Sequence, residues 1–361
     1  MGRLQFTPLL QGHDTVECGY YLRSIDGAHG LDFEWLATER EHLRNAKDRE
    51  QRVITLGDVE FMLLPHGTRS GYPFVILNAD FTICFGEFNN PSFFVKFRSE
   101  ALWREGALRL HVKFVAWAET LGLVAIQQEG LSRVDFTFDY QIPEIDFDLD
   151  SIVTLASKDA SWRQERRLQS LQCGKGDVVF RIYDKIAEIK EESGKYWFEG
   201  LWGTFENVWR IEWQARKEVL KRFGIRTFQD LQDQQGDLLR YLVHEHDSLR
   251  IRGDDGNRSR WPEHPLWIDL KERIQAFNQV GILREIDPQA ILEDRLMRIG
   301  IAMYGYAKRV AAIQGLRDGK EMVSVAEALK QIERLLVRVH DTCTWPVDVR
   351  KRMDAMRLGQ W

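Results

Sequence analysis

Three short segments of the chain place charged and reactive side chains at the same strand-like spacing. Residues 133–135 read Arg-Val-Asp, residues 181–183 read Arg-Ile-Tyr and residues 210–212 read Arg-Ile-Glu. Because side chains on a β-strand alternate between two faces, the arginine and the reactive group of each segment point the same way. Three such strands in one sheet would present carboxylates, a tyrosine and cations on one surface. That combination suits a metal-assisted attack on a phosphodiester.

The same alternation continues beyond the triplets and assigns one face of each strand to a core. The apolar positions that we expect to be buried are Val134, Phe136, Phe138, Tyr140, Phe180, Ile182, Trp209, Ile211, Trp213 and Ala215. The opposite face would carry Arg133, Asp135, Thr137, Asp139, Arg181, Tyr183, Lys185, Arg210, Glu212, Gln214 and Arg216. We therefore expect the polar side chains to share one solvent-open surface.

Tyr183 is the candidate nucleophile of this surface. A phenol has a pKa of about 10, so it attacks poorly at neutral pH unless positive charge stabilises the phenolate. Arg181 and Lys185 flank Tyr183 on the predicted face and could supply that charge. We therefore predict catalytic roles for all three residues. Tyrosine is also a common strand residue, so a purely structural role stays open for a single strand of this kind.

Asp135 and Glu212 are candidate ligands of a hard divalent cation, Mg²⁺ or Mn²⁺, because such ions prefer oxygen ligands. Asp139 is a third candidate. Four residues along a regular strand span about 13 Å at about 3.3 Å per residue, too far for Asp135 and Asp139 to bind one ion without a bulge or a bend. From the residues alone, Asp139 could instead orient a base or a cation.

The elements that must position these residues can be read from the sequence pattern. The first half of the chain reads as strands separated by turns, and the Gly-Lys-Gly-Asp turn at residues 174–177 predicts a hairpin that leads into the Tyr183 strand. Apolar residues at helical spacing predict a helix over residues 107–121, and a shorter helix is expected over residues 149–156. After about residue 217, amphipathic helices replace the strands.

The predicted fold class is therefore α+β, an antiparallel sheet with helices packed on one face, followed by an all-helical C-terminal domain. We place the two domains at residues 1–220 and 221–361. The formal net charge of −5 argues mildly against indiscriminate nucleic-acid binding. The last 66 residues nevertheless carry 12 basic and 7 acidic side chains, which could form a local cationic patch.

Composition also narrows the cellular setting. No apolar run approaches the roughly 18 residues that a transmembrane helix needs, and no signal segment is visible, so we expect a cytoplasmic protein without membrane association. The four cysteines lack CxxC spacing, and neither a zinc cluster nor a disulfide framework is expected.

The order of these motifs resembles the replication initiation factor family, which includes rolling-circle plasmid and phage initiators and related conjugative relaxases. The resemblance lies in Ser-Arg-Val-Asp-Phe-Thr-Phe-Asp at residues 132–139, the 174–177 turn, Arg-Ile-Tyr-Asp-Lys at residues 181–185 and the 210–212 triplet. Residues 94–100 and 102–103 add to it, so that it spans roughly residues 70 to 220. The C-terminal helices match no pattern that we can name.

The resemblance implies that Tyr183 nicks single-stranded DNA and becomes linked to its 5′ end, that the carboxylates hold Mg²⁺ or Mn²⁺, and that residues 1–220 form the nicking domain. The partner would be a replication origin, single-stranded or hairpin, with a helicase, the host polymerase and a second copy of the chain as further partners. The C-terminal helices would contribute DNA binding or oligomerisation. Candidate DNA contacts are Arg133, Arg210, Lys96, Arg98 and Lys175, although Arg133 and Arg210 could instead pair with neighbouring acids.

Three other functions stay open from the sequence. A conjugative relaxase would use the same cut in DNA mobilisation. A non-catalytic DNA-binding protein could keep the same scaffold and contact DNA through its basic helical tail. A metal nuclease that uses water would not need the phenol of Tyr183.

Overall fold

A computed structural model describes residues 6–24, 30–45, 52–277 and 288–357. The described ranges contain fifteen strands. They are β1 (Thr7–Tyr20), β2 (Leu22–Ser24), β3 (Arg52–Leu56), β4 (Val59–Leu63), β5 (Phe74–Leu77), β6 (Phe81–Phe85), β7 (Phe93–Phe97), β8 (Leu123–Ala125), β9 (Gly130–Gln141), β10 (Ile152–Thr154), β11 (Asp159–Gln164), β12 (Arg167–Cys173), β13 (Val178–Asp184), β14 (Val208–Arg216) and β15 (Asp247–Leu249).

Helices lie between β2 and β3, between β7 and β8, on both sides of β14, and after β15. They are α1 (Phe33–Asn45), α2 (Ser99–Glu105), α3 (Ala107–Thr120), α4 (Lys185–Glu188), α5 (Phe198–Trp202), α6 (Lys217–Arg222), α7 (Phe228–Tyr241), α8 (Pro265–Gln275), α9 (Pro288–Asp318), α10 (Val325–Val339) and α11 (Trp345–Arg357). Two π-helical turns (Ile189–Ser193 and Leu242–His246) and two 3₁₀ turns (Leu149–Ser151 and Arg258–Arg260) complete the described elements.

Eleven of the strands form one antiparallel sheet in the order β11-β12-β13-β14-β9-β1-β7-β6-β5-β4-β3. The three strands with the Arg-aliphatic triplets are therefore direct neighbours, β13, β14 and β9. The turn at residues 174–177 connects β12 to β13, as the sequence predicts. Residues 149–156 contain a 3₁₀ turn and the short strand β10, which pairs with β15. The prediction of a helix over these residues is therefore wrong.

The principal core lies on the face of the sheet that carries the apolar positions. Phe138 and Trp213 contact each other edge to face, and Phe180 stacks obliquely on Trp213. Trp267 from α8 packs against both Phe180 and Trp213, while α3 and α7 bury further apolar residues in the same cluster. The α+β class with helices on the apolar face of an antiparallel sheet is thus confirmed.

The opposite face is less open than the sequence predicts. A second, smaller apolar cluster covers part of it and consists of Ile186, Ile189, Phe198, Trp202 and Val208, with Trp103 packed against it. On β9, the side chains of Asp135, Thr137 and Asp139 are buried, and Trp202 of this cluster contacts Asp139. The segment that follows β13 folds back over the sheet and encloses part of the polar face.

The chain divides into two compact units, Met1–Arg284 and Glu285–Trp361. Residues 221–284, including α7 and α8, belong to the first unit, whereas the predicted domain division lies at residue 220. The second unit contains α9, α10 and α11 and is helical throughout most of its described residues. In the part of the chain that the structure describes, no helix is long and apolar enough to cross a bilayer.

Candidate active site

Strand register brings the reactive residues into three parallel rows on the polar face. Residues that pair directly across an antiparallel sheet share a face and lie about 5 Å apart. The first row is Tyr183, Arg210 and Asp139, the second is Arg181, Glu212 and Thr137, and the third is Val179, Gln214 and Asp135. The alternation in sequence therefore places the tyrosine, the carboxylates and the arginines of the three triplets on one surface.

Tyr183 is held by a carboxylate of the neighbouring strand. Its hydroxyl donates a hydrogen bond to Oε2 of Glu212 at 3.0 Å, and Nη1 of Arg181 donates to Oε1 of the same carboxylate at 2.9 Å. All three side chains line a cleft of about 690 Å³. A half-buried phenol thus faces a cavity with a proton acceptor already in place.

The electrostatic environment keeps this phenol neutral. Burial raises the pKa of Tyr183 well above its usual value, the charge of Glu212 raises it further, and Arg210 acts in the opposite direction. The sequence predicts that Arg181 and Lys185 stabilise a phenolate. In the structure, however, the charge of Arg181 is paired with Glu212, so it does not stabilise a preformed phenolate.

Lys185 lies beneath the tyrosine, away from solvent. Its ammonium group is buried, donates to Glu188 Oε2 at 2.5 Å and sits 5.6 Å from the centroid of the Tyr183 ring. Burial and the nearby Arg210 lower the pKa of Lys185. The structure therefore brings Lys185 to the ring of Tyr183.

Asp135 of β9 lies on the same face of the sheet as Glu212 but does not line the cleft, and it is paired with Arg133. The Nε and Nη2 atoms of Arg133 donate to the two oxygens of Asp135 at 2.8 Å and 2.6 Å. Burial nevertheless raises the pKa of Asp135 to about 6; Arg133 acts against this shift, and the charge of Glu212 adds to it. The two carboxylates thus repel each other across the polar face, as expected of acids that can share a cation.

Gln214 lies beside both of these acids and has an unusual environment. It pairs with Asp135 across the strands and stands two residues after Glu212 on the same face. Its Oε1 accepts a long hydrogen bond of 3.5 Å from Arg181, whereas its buried Nε2 has no hydrogen-bond partner among the described residues. Since the two ends of an amide can be exchanged by rotation, an oxygen could also be placed there.

Asp135, Glu212 and Gln214 together provide a partial fit for a divalent cation. Among the described residues, no group of three or more His, Cys, Asp or Glu side chains has the arrangement of a metal site. Two carboxylates, Asp135 and Glu212, with the amide of Gln214 beside them, offer oxygen donors of the type that Mg²⁺ and Mn²⁺ prefer. A cation there would compete with Arg133 and Arg181 for the same oxygens.

The predicted role of Asp139 as a metal ligand is not compatible with its contacts. Nε and Nη2 of Arg210 donate to its two oxygens at 2.6 Å and 2.9 Å, and Nε1 of Trp202 donates at 2.9 Å. The side chains of Asp139 and Arg210 are both fully buried. Asp139 and Asp135 are separated by four residues along β9. The small apolar cluster also separates Asp139 from the cleft.

Arg210 is predicted to contact DNA, and this prediction is wrong. Its side chain is fully buried and cannot reach DNA from this position. Its Nη1 lies 3.0 Å from Oδ1 of Asp14, a residue that sequence reasoning missed. Asp14 also accepts hydrogen bonds from Ser99 at 2.7 Å and from Lys195 at 2.9 Å. Although burial acts to raise it, Arg210 and Lys195 hold the pKa of Asp14 well below its usual range.

The remaining predicted DNA contacts lie in different environments. Arg133 is partly exposed but engaged by Asp135. Lys96 is exposed on β7 and is paired in register with Glu17 of β1, while exposed Arg98 donates to the carbonyl of Asn78 at 2.8 Å. Lys175 is exposed in the turn at the opposite end of β13 from Tyr183. The structure therefore does not bring these five candidates together at the cleft.

Comparisons with known proteins give a weak structural likeness. No protein-family model matches the chain, and no curated protein matches it. A solved structure of a rolling-circle replication initiator protein from Geobacillus stearothermophilus is similar, with 16% sequence identity and a TM-score of 0.44, covering 78% of this chain and 100% of that chain. At this identity and TM-score, the likeness assigns neither a family nor an activity to the chain.

Proposed function

We propose that this protein cuts and rejoins single-stranded DNA through Tyr183 and thereby initiates rolling-circle replication of a plasmid or phage-like element. The observation that carries the proposal is the hydrogen bond of 3.0 Å from the Tyr183 hydroxyl to Glu212, at the wall of a cleft. A phenol with an adjacent proton acceptor is an activated nucleophile in the general sense. The motif order of residues 132–212 supports the same chemistry by resemblance.

In the proposed reaction, the oxygen of Tyr183 attacks the phosphorus of one phosphodiester while its proton passes to Glu212. The bond from phosphorus to the 3′ oxygen breaks, and the released 3′ oxygen takes up a proton to become a hydroxyl. The 5′ phosphate is then esterified to Tyr183. Because one phosphate ester replaces another, the bond energy is conserved for rejoining, and the free 3′ hydroxyl can prime synthesis.

Arg181 and Lys185 have supporting roles in this proposal. Arg181 fixes the Glu212 carboxylate through its hydrogen bond to Oε1, which leaves Oε2 directed at the phenol. Lys185 supports the ring of Tyr183 from below and keeps positive charge beneath it. Both effects hold the nucleophile in one orientation before the DNA arrives.

We further propose that Asp135 and Glu212 hold Mg²⁺ or Mn²⁺, with the amide of Gln214 as an additional oxygen donor. The pKa of Asp135 is raised to about 6, which indicates that the positive charge nearby does not fully balance the two carboxylates. A bound cation would polarise the scissile phosphate and neutralise charge that develops on its oxygens. Asp139 is left out of this set because its ion pair with Arg210 is fully buried, beneath the small apolar cluster that contains Trp202.

The wider biological setting belongs to the same proposal. Initiation at an origin implies a helicase and a DNA polymerase as partners, action in the cytoplasm, and a DNA-binding or self-association role for the helical unit Glu285–Trp361. A conjugative relaxase would make the same covalent bond. Finding a hairpin-forming origin beside the coding region would favour replication, whereas mobilisation genes there would favour transfer.

The test is formation of a covalent protein–DNA adduct. Single-stranded oligonucleotides that tile the region around the gene and carry a label at the 3′ end are incubated with the protein and Mg²⁺ or Mn²⁺, and the products are separated on a denaturing gel. Wild type is expected to give a labelled band of protein size, and Tyr183→Phe none. Tyr304→Phe, an exposed tyrosine of α9, is the matched control and should behave as wild type.

Two outcomes would count against the proposal. Cutting that persists in Tyr183→Phe but is lost in Asp135→Asn would indicate a metal nuclease that uses water. Binding of the oligonucleotides without any cut, by wild type and variants alike, would indicate a non-catalytic DNA-binding protein.

A further inference from the structure

The hairpin formed by β11 and β12 lies at the edge of the large sheet and forms one side of the cleft that contains Tyr183. Its two-residue turn, Glu165 and Arg166, has positive φ at both positions, 48° and 68°. This geometry is that of a tight turn whose twist matches the flanking strands. The hairpin is therefore a well-defined element at the sheet edge, and none of the sequence motifs accounts for it.

Trp162 is the most distinctive residue of this hairpin. It pairs with Ser170 of β12, which in turn pairs with Tyr183 of β13, so Trp162 continues the row of Tyr183, Arg210 and Asp139. Two inter-strand spacings place it about 10 Å from Tyr183 on the same face. The indole is 50% exposed and lines the cleft. A large aromatic surface is thus presented to solvent beside the proposed nucleophile.

The hairpin also carries three exposed arginines, which outnumber its two acids, Asp159 and Glu165. Arg163 lines the cleft, and Arg166 and Arg167 lie exposed at the tip. In the part of the chain that the structure describes, none of these three arginines forms an ion pair. Arg181 and Lys185, by contrast, are bound to Glu212 and Glu188. The hairpin arginines are therefore better placed than Arg181 and Lys185 to bind a phosphate at this cleft.

The opposite wall of the cleft has the reverse charge. The turn after α4 places Glu191 and Glu192 there, with Glu188 beside them. A phosphate backbone is repelled from that wall and attracted to the arginines of the hairpin. This asymmetry fixes the side along which a nucleic acid can pass Tyr183.

We propose that the β11–β12 hairpin guides the single-stranded DNA next to the cut, with Trp162 stacking on a base and Arg163, Arg166 and Arg167 holding phosphates. Aromatic stacking combined with a basic surface is the usual way in which proteins bind single strands independently of sequence. The inference deepens the proposed function, because it rests on Tyr183 cutting the strand that the hairpin holds. An unpaired base is required, since a base inside a duplex has no free face for the indole.

The binding test uses the full chain carrying Tyr183→Phe, so that no cut complicates the measurement. Fluorescence anisotropy follows a labelled oligothymidine of about 20 nucleotides and a strand of equal length that consists of abasic residues. Trp162→Ala should raise the Kd for oligothymidine about 5- to 150-fold and leave the Kd for the abasic strand unchanged. Trp162→Phe keeps a stacking surface and should restore most of the affinity.

Trp35→Ala is the matched control, because Trp35 is an exposed tryptophan of α1 away from the cleft; it should change neither Kd. Replacing Arg163, Arg166 and Arg167 by Ala should weaken the binding of both strands. It should also reduce the slope of log K against log salt by about 0.7 for each phosphate that the variant no longer neutralises.

The inference is overturned if Trp162→Ala binds oligothymidine as Trp35→Ala does, or if it weakens the binding of oligothymidine and of the abasic strand equally. An equal loss of affinity for a duplex of the same length would also overturn it. Failure here is distinct from failure of the proposed function: covalent adducts that depend on Tyr183 can form without the hairpin, and base-dependent binding by Trp162 can occur in a protein that never cuts.

Discussion

The hydroxyl of Tyr183 and the carboxylate of Glu212 are joined by a hydrogen bond of 3.0 Å across two neighbouring strands. Both residues follow an arginine and an isoleucine in the sequence, yet they do not lie directly opposite each other. Tyr183 pairs in register with Arg210, and Glu212 pairs with Arg181. The reactive contact is therefore a diagonal one, and it places the phenol against an acid while each residue keeps an arginine as its direct neighbour.

Glu212→Gln tests the proton acceptor. The amide can still contact the phenol but cannot take its proton, so the rate of adduct formation should fall about 10²- to 10⁴-fold. Rapid quenching of the reaction followed by denaturing electrophoresis measures the rate. Glu206→Gln, an exposed acid before β14, is the control and should retain the wild-type rate. A Glu212→Gln variant as fast as wild type would remove Glu212 from the mechanism.

Asp135 should make stability depend on pH in a defined direction. Its pKa is about 6 in the folded protein and about 3.8 in the unfolded reference, so the folded state binds more protons between these values. The stability that it contributes is complete below about pH 4 and is lost as the pH rises towards 6, by roughly 3 kcal/mol at most. His13, whose pKa is lowered to about 4, acts in the opposite direction over this range, so the test is the difference between wild type and Asp135→Asn. Between urea unfolding at pH 4.5 and at pH 7, the free energy of unfolding should change less favourably in wild type than in Asp135→Asn. Equal changes in both proteins would contradict the assignment.

Addition of a divalent cation should stabilise the folded protein by relieving the repulsion between Asp135 and Glu212. Binding to the folded state alone contributes about 2.7 kcal/mol when the free ion is at a hundredfold excess over Kd. At pH 7.5, Mg²⁺ or Mn²⁺ should therefore raise the Tm of wild type by several degrees in differential scanning calorimetry, but not that of Asp135→Asn. Asp233→Asn, an exposed acid of α7, should keep the shift. An unchanged Tm in wild type would argue against the cation site.

Asp139→Ala should destabilise the protein without a direct effect on the reacting atoms. It leaves the fully buried guanidinium of Arg210 without its main partner, and breaking a buried pair in this way typically costs about 3–5 kcal/mol. The free energy of unfolding in urea measures the loss. Asp150→Ala removes an exposed partner of Arg258 and should cost at most about 1 kcal/mol. Similar losses in the two variants would contradict a structural role for Asp139.

Much of the site could be predicted because strand alternation is local. The faces of β9, β13 and β14, the hairpin at residues 174–177 and the helix over residues 107–121 all follow from patterns within short segments. The same patterns also place Tyr183 and Glu212 on one surface. What holds the two residues in position, however, depends on contacts between distant segments.

The sequence predictions that are wrong depend on contacts between distant segments of the chain. Asp14 and Lys195 are 181 residues apart, and Asp14 lies at the register shift of β1 between His13 and Thr15. The cover over Asp139 comes from apolar residues after β13, which have no strand-like pattern of their own. The short apolar segment at residues 149–156 is equally compatible with helix and strand, and pairing with β15 decides the outcome.

The most direct test of the central claim is the identification of the residue that becomes linked to DNA. The covalent adduct is trimmed with nuclease, digested with trypsin and analysed by tandem mass spectrometry. Arg181 and Lys185 are trypsin sites, so Tyr183 should be released in the tetrapeptide Ile-Tyr-Asp-Lys. We predict that this peptide carries the added nucleotide mass on its tyrosine. An unmodified tetrapeptide, with the nucleotide on another residue or released with a free 5′ phosphate, would contradict the account.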